Sequence, residues 1–195
     1  MEIELMDTRK TTPGWRLLEK YAVRVGGATN HRLSLGDMLL VKNNHVDAQQ
    51  DKSRAQRMRT ALRRIMKAKA RKIGLEVEVR DLEELRAALE FKVPRIMLDN
   101  MNDRKVALAV EIVRRVAPET FIEVSGGVEM DRFKTLRKLG VNAVSMGSLT
   151  SQVRSVDISL RLESPISQNR YSARRYHRKH SSSGSAPSQT RLRPR

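Results

Sequence analysis

Short apolar runs rich in β-forming residues alternate with longer amphipathic stretches along most of this chain. The runs fall at residues 2–6, 37–42, 75–79, 95–98, 120–124, 141–145 and 156–160, and they predict about seven strands. Between them, apolar residues recur at helical spacing over 15–25, 51–72, 82–91, 103–116 and 130–139. In the second of these, Met58, Leu62, Ile65 and Met66 share one face while Arg and Lys fill the rest. That spacing makes the methionines core residues rather than ligands. Gly26-Gly27 and Gly140 stand where helix C-caps belong, and Asp81, followed by Leu and two Glu, marks a helix start. Strand–helix alternation implies parallel strands joined by crossover helices. The expected fold class is α/β: an incomplete parallel α/β barrel of about seven strands. A doubly wound open sheet is the alternative that pattern alone leaves open.

The pattern stops near Glu163. Residues 164–195 are rich in Ser, Arg and Pro and nearly lack large aliphatic side chains. Such a composition cannot bury enough apolar surface to offset its ordering entropy, so a disordered basic tail is expected there, after a domain spanning 1–163. The formal net charge of +17 divides accordingly: the tail holds about eight Arg and Lys and no acid, a second basic cluster lies at 52–72, and the remainder is close to balanced. Such a charge suits nucleic acid, and it equally suits small phosphorylated or carboxylated substrates. The 52–72 cluster fits the solvated face of an outer helix better than a nucleic-acid surface. With no cysteine, disulfides, thiolate nucleophiles and Cys-ligated metals are excluded. No apolar run approaches the ~20 residues of a membrane span, and no signal-type segment opens the chain, so a cytoplasmic protein without membrane partners is expected.

Polar residues cluster at one end of the predicted strands. Arg9 and Lys10 follow the first, Lys42 closes the second, Glu78 lies near the end of the third, and Asp99 follows the fourth. Ser125-Gly126-Gly127 follows the fifth and Gly147 the sixth. The C-terminal ends of the strands are the functional face of a parallel α/β barrel, whereas structural charges would scatter over both ends. Arg9, Lys10, Arg32 and Lys42, with His31, would form a cationic pocket for carboxylates and phosphates. The SGG turn can present backbone N–H groups to a phosphate. Glu78 and Asp99 within such a pocket call for hydroxyls, a metal or a developing positive charge, and a ribosyl ring with an oxocarbenium-like transition state offers both hydroxyls and such charge. Singly, each signal has a plainer meaning: SGG as a turn, Asp99-Asn100 as a helix cap, His31 and His45 as satisfied structural histidines. Their convergence on one face carries the argument.

The segments DTRKTTPGWRLLEKYAVRVGGATNHR, LLVKNNHV, LEVEV, IMLDN, EVSGGV and VSMGSLT occur in the order found in quinolinate phosphoribosyltransferases, also called carboxylating nicotinate-nucleotide pyrophosphorylases. The chain resembles the barrel domain of that family from about Ile3 to Leu162. The resemblance implies a pentosyltransferase of de novo NAD synthesis: quinolinate and phosphoribosyl pyrophosphate, with Mg2+, give nicotinate mononucleotide, pyrophosphate and CO2. It implies Lys10, Glu78 and Asp99 as catalytic residues. Thr8, Arg9, His31, Arg32, Lys42, Ser125, Gly126, Gly127, Gly147 and Ser148 would bind substrate. Mg2+ would be held mainly by pyrophosphate oxygens, with Glu78 and Asp99 as the candidate protein contacts.

The chain departs from the family in places. Family members carry an N-terminal domain that covers the partner's site in a dimer, and this chain, which opens almost on the first strand, is expected to lack it. A homodimer or a separately encoded N-terminal domain is therefore the expected partner. Ala28, Asn43 and Ser151 stand where the family has Gly, Asp and His. The alternatives are a truncated or degenerate barrel without turnover, a related nicotinate-type transferase and, last, a basic nucleic-acid-binding protein.

Overall fold

The computed structural model describes residues 2–67 and 73–162. Six strands form one parallel sheet: β1 (Glu4–Met6), β2 (Leu39–Val41), β3 (Leu75–Val79), β4 (Arg95–Asp99), β5 (Phe121–Ser125) and β6 (Ala143–Ser145). Helix α1 (Arg16–Val25) follows β1, α2 (Asn43–Asp47) and α3 (Arg54–Lys67) follow β2, α4 (Leu82–Leu89) follows β3, and α5 (Asp103–Val116) follows β4. After β5 come a 3-10 turn (Met130–Arg132) and α6 (Phe133–Lys138), and α7 (Ser148–Ser151) follows β6. No helix of the described residues is long and apolar enough to cross a membrane.

The strand order is β1-β6-β5-β4-β3-β2, which leaves β1 and β2 as edges. A single cavity is nevertheless lined by Asp7 after β1, Leu40 of β2, Glu78 of β3, Met97 of β4, Ser125 of β5 and Ser145 of β6. Only a sheet curled around a common interior brings all six strands to one space, so the architecture is an incomplete α/β barrel, open between β1 and β2. Thr29 lies along the free edge of β1, exchanging hydrogen bonds with Leu5 and Asp7, and partly covers that opening.

Alternation along the strands sorts the side chains. Val77, Val79, Ile96, Leu98, Ile122, Val124 and Val144 point outward and are fully buried against Met58 and Leu62 of α3, Leu85 of α4, Val106 and Val113 of α5, and Leu136 of α6. Each such side chain contributes about 1.5–3 kcal/mol of burial, which fixes strand register, because a one-residue slip would turn the set toward the interior. The inner set differs in kind: Glu76, Glu78, Arg95, Met97, Asp99, Glu123, Ser125 and Ser145 occupy the alternate positions. The helix ends follow local chemistry. Asp81 accepts hydrogen bonds from the Glu83 and Glu84 backbone N–H groups, and Asn102 caps α5 through Lys105 N–H. Gly27 and Gly140, at φ +90° and +83°, close α1 and α6.

Three expectations need correction. Residues 156–160 form no strand: they run without regular structure, with Val156, Ile158 and Leu160 at 79–90% exposure, so the sheet has six strands rather than seven. This segment belongs to a separate unit, Ser155–Arg195, and not to the compact unit that ends at Arg154. Residues 43–47 form the short helix α2, which the sequence pattern did not indicate, and the helix expected from 51 begins at Arg54. Its expected end at 72, and the expected disordered tail at 164–195, lie outside the described residues.

Candidate active site

The functional loops are built outward from Asp7, at the end of β1. Its carboxylate is fully buried and takes three donors: Lys20 Nζ at 2.5 Å, Asn30 Nδ2 at 2.7 Å and the His31 backbone N–H at 2.9 Å. Lys20 projects from α1, and its own carbonyl accepts a second bond from Asn30 Nδ2 at 3.0 Å. The first residue of DTRK, the lysine of α1 and the first residue of NHR are thus one locked unit. This unit fixes where Arg9, Lys10, His31 and Arg32 begin.

From there the side chains enter a cavity of about 390 Å³ lined by Thr8, Arg9, Lys10, His31, Arg32, Lys42, Glu78, Asp99, Asn100 and Ser125–Gly127, among others. A second cavity of about 490 Å³ shares Thr8, Lys10, Ser125, Gly126 and Gly127 with the first and adds Gly147 and Ser148. All thirteen residues proposed from the sequence therefore line one or both of two adjoining cavities at the C-terminal ends of the strands.

The cations dominate the first cavity. Arg32 donates to the Met38 carbonyl at 2.9 Å, and burial together with the neighbouring Arg9 lowers its pKa below the ordinary guanidinium value. Lys42 Nζ lies 3.1 Å from Glu78 Oε2, and the Asn43 backbone N–H donates to Glu78 Oε1 at 3.3 Å. Thr150 Oγ1 donates to the Lys10 carbonyl at 2.6 Å, tying the β1 loop to α7. With Asp7 matched by Lys20, the cavity is lined by Arg9, Lys10, Arg32 and the Lys42–Glu78 pair, together with His31 and Asp99. Burial pushes the Asp99 carboxyl up; a bond from Asn100 Nδ2 at 2.9 Å opposes this, and the nearby Glu78 adds to it.

The SGG turn is shaped by Asn100. This residue adopts φ +54°, and its N–H donates to the Ser125 carbonyl at 3.0 Å. Gly126 at φ +87° leaves the space that the Asn100 side chain fills; a Cβ there would meet Asn100 Oδ1 at 2.4 Å. Asp99, Asn100 and the turn therefore move as one piece.

Beneath the cavity lies a cluster that the sequence reading missed. His31 Nε2 stands 2.7 Å from Glu76 Oε2 and 3.2 Å from Glu123 Oε2, off the line of a well-aligned hydrogen bond, and both carboxylates are fully buried. Arg95 approaches each carboxylate at 3.6 Å and lies 3.9 Å over the Phe121 ring. One ligand atom from each of His31, Glu76 and Glu123 falls within 4.8 Å of the others, a spacing compatible with a metal ion. The available signal was a carboxylate at an interior position of a strand, Glu76 in LEVEV and Glu123 in FIEVS.

Chain comparisons agree with this architecture. Residues 1–161 match the family model described as quinolinate phosphoribosyl transferase, C-terminal domain. A probable carboxylating nicotinate-nucleotide pyrophosphorylase of Synechocystis is 38% identical over 157 residues, 80% of this chain and 51% of the relative. The Mycobacterium leprae carboxylating nicotinate-nucleotide pyrophosphorylase is 42% identical over 159 residues, covering 82% and 54%. Among solved structures, NadC from Streptococcus pyogenes superposes with a TM-score of 0.69 at 39% identity, covering 82% of this chain and 53% of that one. The Francisella tularensis nicotinate-nucleotide pyrophosphorylase gives 0.67 at 36% identity, covering 80% and 52%. The chain spans about half the length of the curated relatives it matches.

Proposed function

Because this chain belongs to the quinolinate phosphoribosyl transferase C-terminal domain family, we propose that it carries the phosphoribosyl-transfer site of a carboxylating nicotinate-nucleotide pyrophosphorylase. The observation that carries the reading is the pair of adjoining cavities, one lined by Arg9, Arg32 and Lys42, the other by the SGG turn, Gly147 and Ser148, with Lys10 lining both. The first suits the two carboxylates of quinolinate. The second suits the 5′-phosphate of phosphoribosyl pyrophosphate, held by backbone N–H groups and hydroxyls. Lys10, at the junction, is suited to the leaving pyrophosphate as a point charge.

Glu78 and Asp99 stand where the ribose would join the two. As pyrophosphate departs and the ring nitrogen of quinolinate bonds to the anomeric carbon, their carboxylates would accept the ribose hydroxyls and stabilise the cationic ring. Loss of CO2 then leaves an electron pair on the ring carbon, stabilised by the positively charged pyridine ring and the surrounding cations until a proton from solvent takes the place of the carboxylate. Mg2+ belongs to the proposal. Burial, joined by the nearby Glu78, raises the pKa of Asp99, so an added cation beside these carboxylates would be electrostatically favoured. These oxygen donors fit an ion that keeps several waters and binds phosphate oxygens, and there it would neutralise the pyrophosphate charge. The His31 cluster, with a nitrogen donor and fully buried carboxylates, fits Mg2+ poorly.

A homodimer completes the proposal in an aqueous cytoplasmic setting. It is supported by the exposed Trp15, Leu18 and Tyr21 at and within α1, apolar side chains that a second copy would cover. The nucleic-acid reading loses support at α3, where Arg54, Arg57 and Arg59 are paired with Asp81, Asp47 and Glu90. The test is quinolinate-dependent release of pyrophosphate from phosphoribosyl pyrophosphate. Lys10→Ala is expected to lower it at least about a hundredfold, the scale of losing a charge that acts in the transition state. Release that is independent of quinolinate, or unchanged in Lys10→Ala, contradicts the reading.

A further inference from the structure

Glu76, Arg95 and Glu123 take no part in the reaction outlined above, yet they occupy the barrel interior directly beneath its pocket. Register places Glu76 opposite Arg95 on β4, while Glu123 lies opposite Met97, so the guanidinium sits between two carboxylates on β3 and β5. His31 Nε2 closes the group from above at 2.7 and 3.2 Å. Burying a carboxylate costs several kcal/mol unless a countercharge accompanies it. Both carboxylates have no exposure, and Arg95 supplies one positive charge for the two. One further proton makes the set neutral, and the His31 ring, with Nε2 2.7 Å from Glu76 Oε2, is placed to carry it.

We propose that Glu76 and Glu123, with Arg95, are positioning residues that hold the His31 ring as a fixed imidazolium, Nε2–H turned to the carboxylates and its second N–H and charge turned to the pocket to receive a substrate carboxylate. This role rests on the reading of that pocket as a carboxylate site. An ordinary histidine is mostly neutral at pH 7 and makes a poor anion receptor. Here burial disfavours the cation, but the close approach of the Glu123 and Glu76 carboxylates outweighs it and raises the pKa to about 9. The two acids share the consequence unequally. Burial alone would raise Glu76, but the closer His31 contact leaves it lowered; burial, joined by the charge of Glu76, leaves Glu123 raised. Asp7 binds the His31 backbone N–H and is matched by Lys20, and the cations Arg9, Lys10, Arg32 and Lys42 and the acids Glu78 and Asp99 line the same cavity as the ring. Since the folded-state pKa lies above the ordinary 6.5, the ion pair is fully present below that value and is lost as pH rises through about 9.

The deciding measurement is a pH titration of the His31 ring nitrogens by long-range 1H–15N spectroscopy on the full chain, with the signals assigned by their loss in His31→Gln. Both nitrogens are expected to remain protonated at about pH 8, where a free histidine is neutral, and Glu123→Gln and Glu76→Gln should each lower the proton affinity about tenfold or more. If those variants fail to fold, the wild-type titration decides alone. A neutral ring at about pH 8 overturns the proposal, and so does stoichiometric calorimetric uptake of Zn2+ or Mn2+ that Glu76→Gln abolishes. A second readout separates positioning from mere support. The upper midpoint of the pH profile for quinolinate affinity should move down with the His31 midpoint in Glu123→Gln, whereas a purely structural role would weaken binding equally at every pH. A protonated ring combined with no quinolinate binding at any pH would refute the pocket's assignment and leave the charge-holding role of Glu76 and Glu123 standing.

Discussion

Asp7 shows how single residues organise this site. Its carboxylate has no exposure, and it is stabilised by the ammonium of Lys20, the amide of Asn30 and the backbone of His31. Lys20→Met removes the charge but keeps the packing of the chain, leaving a buried carboxylate without its cation. The expected loss is about 3–5 kcal/mol of unfolding free energy, measured by urea denaturation. An unchanged urea midpoint would show that the pair does not hold the loop. Asp99 makes the opposite case. Burial raises its carboxyl pKa, so ionising it costs more in the folded chain than in the unfolded one, and this penalty grows as pH rises above the ordinary 3.8. Asp99→Asn should therefore be as stable as wild type or more so at neutral pH while turnover is lost; a destabilised variant would mean that the carboxylate serves the fold. The sequence made Arg9, Lys10, Arg32, Lys42, Glu78 and Asp99 visible because polar residues at strand ends stand out. It did not reveal that Asp7, Lys20 and Asn30 form one unit, since that pairing exists only once α1 folds back. Glu76 and Glu123 escaped notice because an acid at an interior strand position looks like ordinary alternation.

Elements carry the second layer of the argument. Five of the six strands were legible because their outward faces form an unbroken Val, Ile and Leu surface; β2 is short and was foreseen three residues longer. Residues 156–160 had the same alternation and formed no strand. Period-two patterning states which faces a segment could present in a sheet, and does not by itself make a strand. Helix α2 escaped because its five residues, NNHVD, are too few to show a period; it is held by the Lys42 N–H donating to His45 Nδ1 at 2.9 Å. The core under α3 predicts that Leu62→Ala, at a fully buried position, costs about 2–5 kcal/mol. A cost below about 1 kcal/mol would mean that α3 is not packed on the sheet as described. At the SGG turn, Gly126→Ala faces both the left-handed backbone and the Asn100 side chain. Phosphoribosyl pyrophosphate affinity should fall at least about tenfold in direct titration, the effect of misplacing one or two charge-assisted bonds. Equal affinity would remove the turn from the phosphate site.

At the scale of the whole molecule, the parallel strands gather their C-terminal ends around one opening, and the charge distribution of that opening is the functional statement. The fold class was readable from alternation alone, because a parallel sheet with helices between its strands admits few arrangements. Closure was not readable: whether β1 turns to meet β6 depends on curvature, which the single cavity shared by all six strands reveals. The chain spans about half the length of its curated relatives, so ligand recognition by these residues is the central claim, and turnover is a stricter one. Isothermal titration of the full chain with quinolinate and with nicotinate, each with and without phosphoribosyl pyrophosphate and Mg2+, tests that claim most directly. Two carboxylates facing Arg9, Arg32, Lys42 and a charged His31 should make quinolinate bind at least about tenfold more tightly than nicotinate, as expected for one additional charge-assisted contact. A folded chain that binds neither pyridine, or binds both equally, would contradict the account.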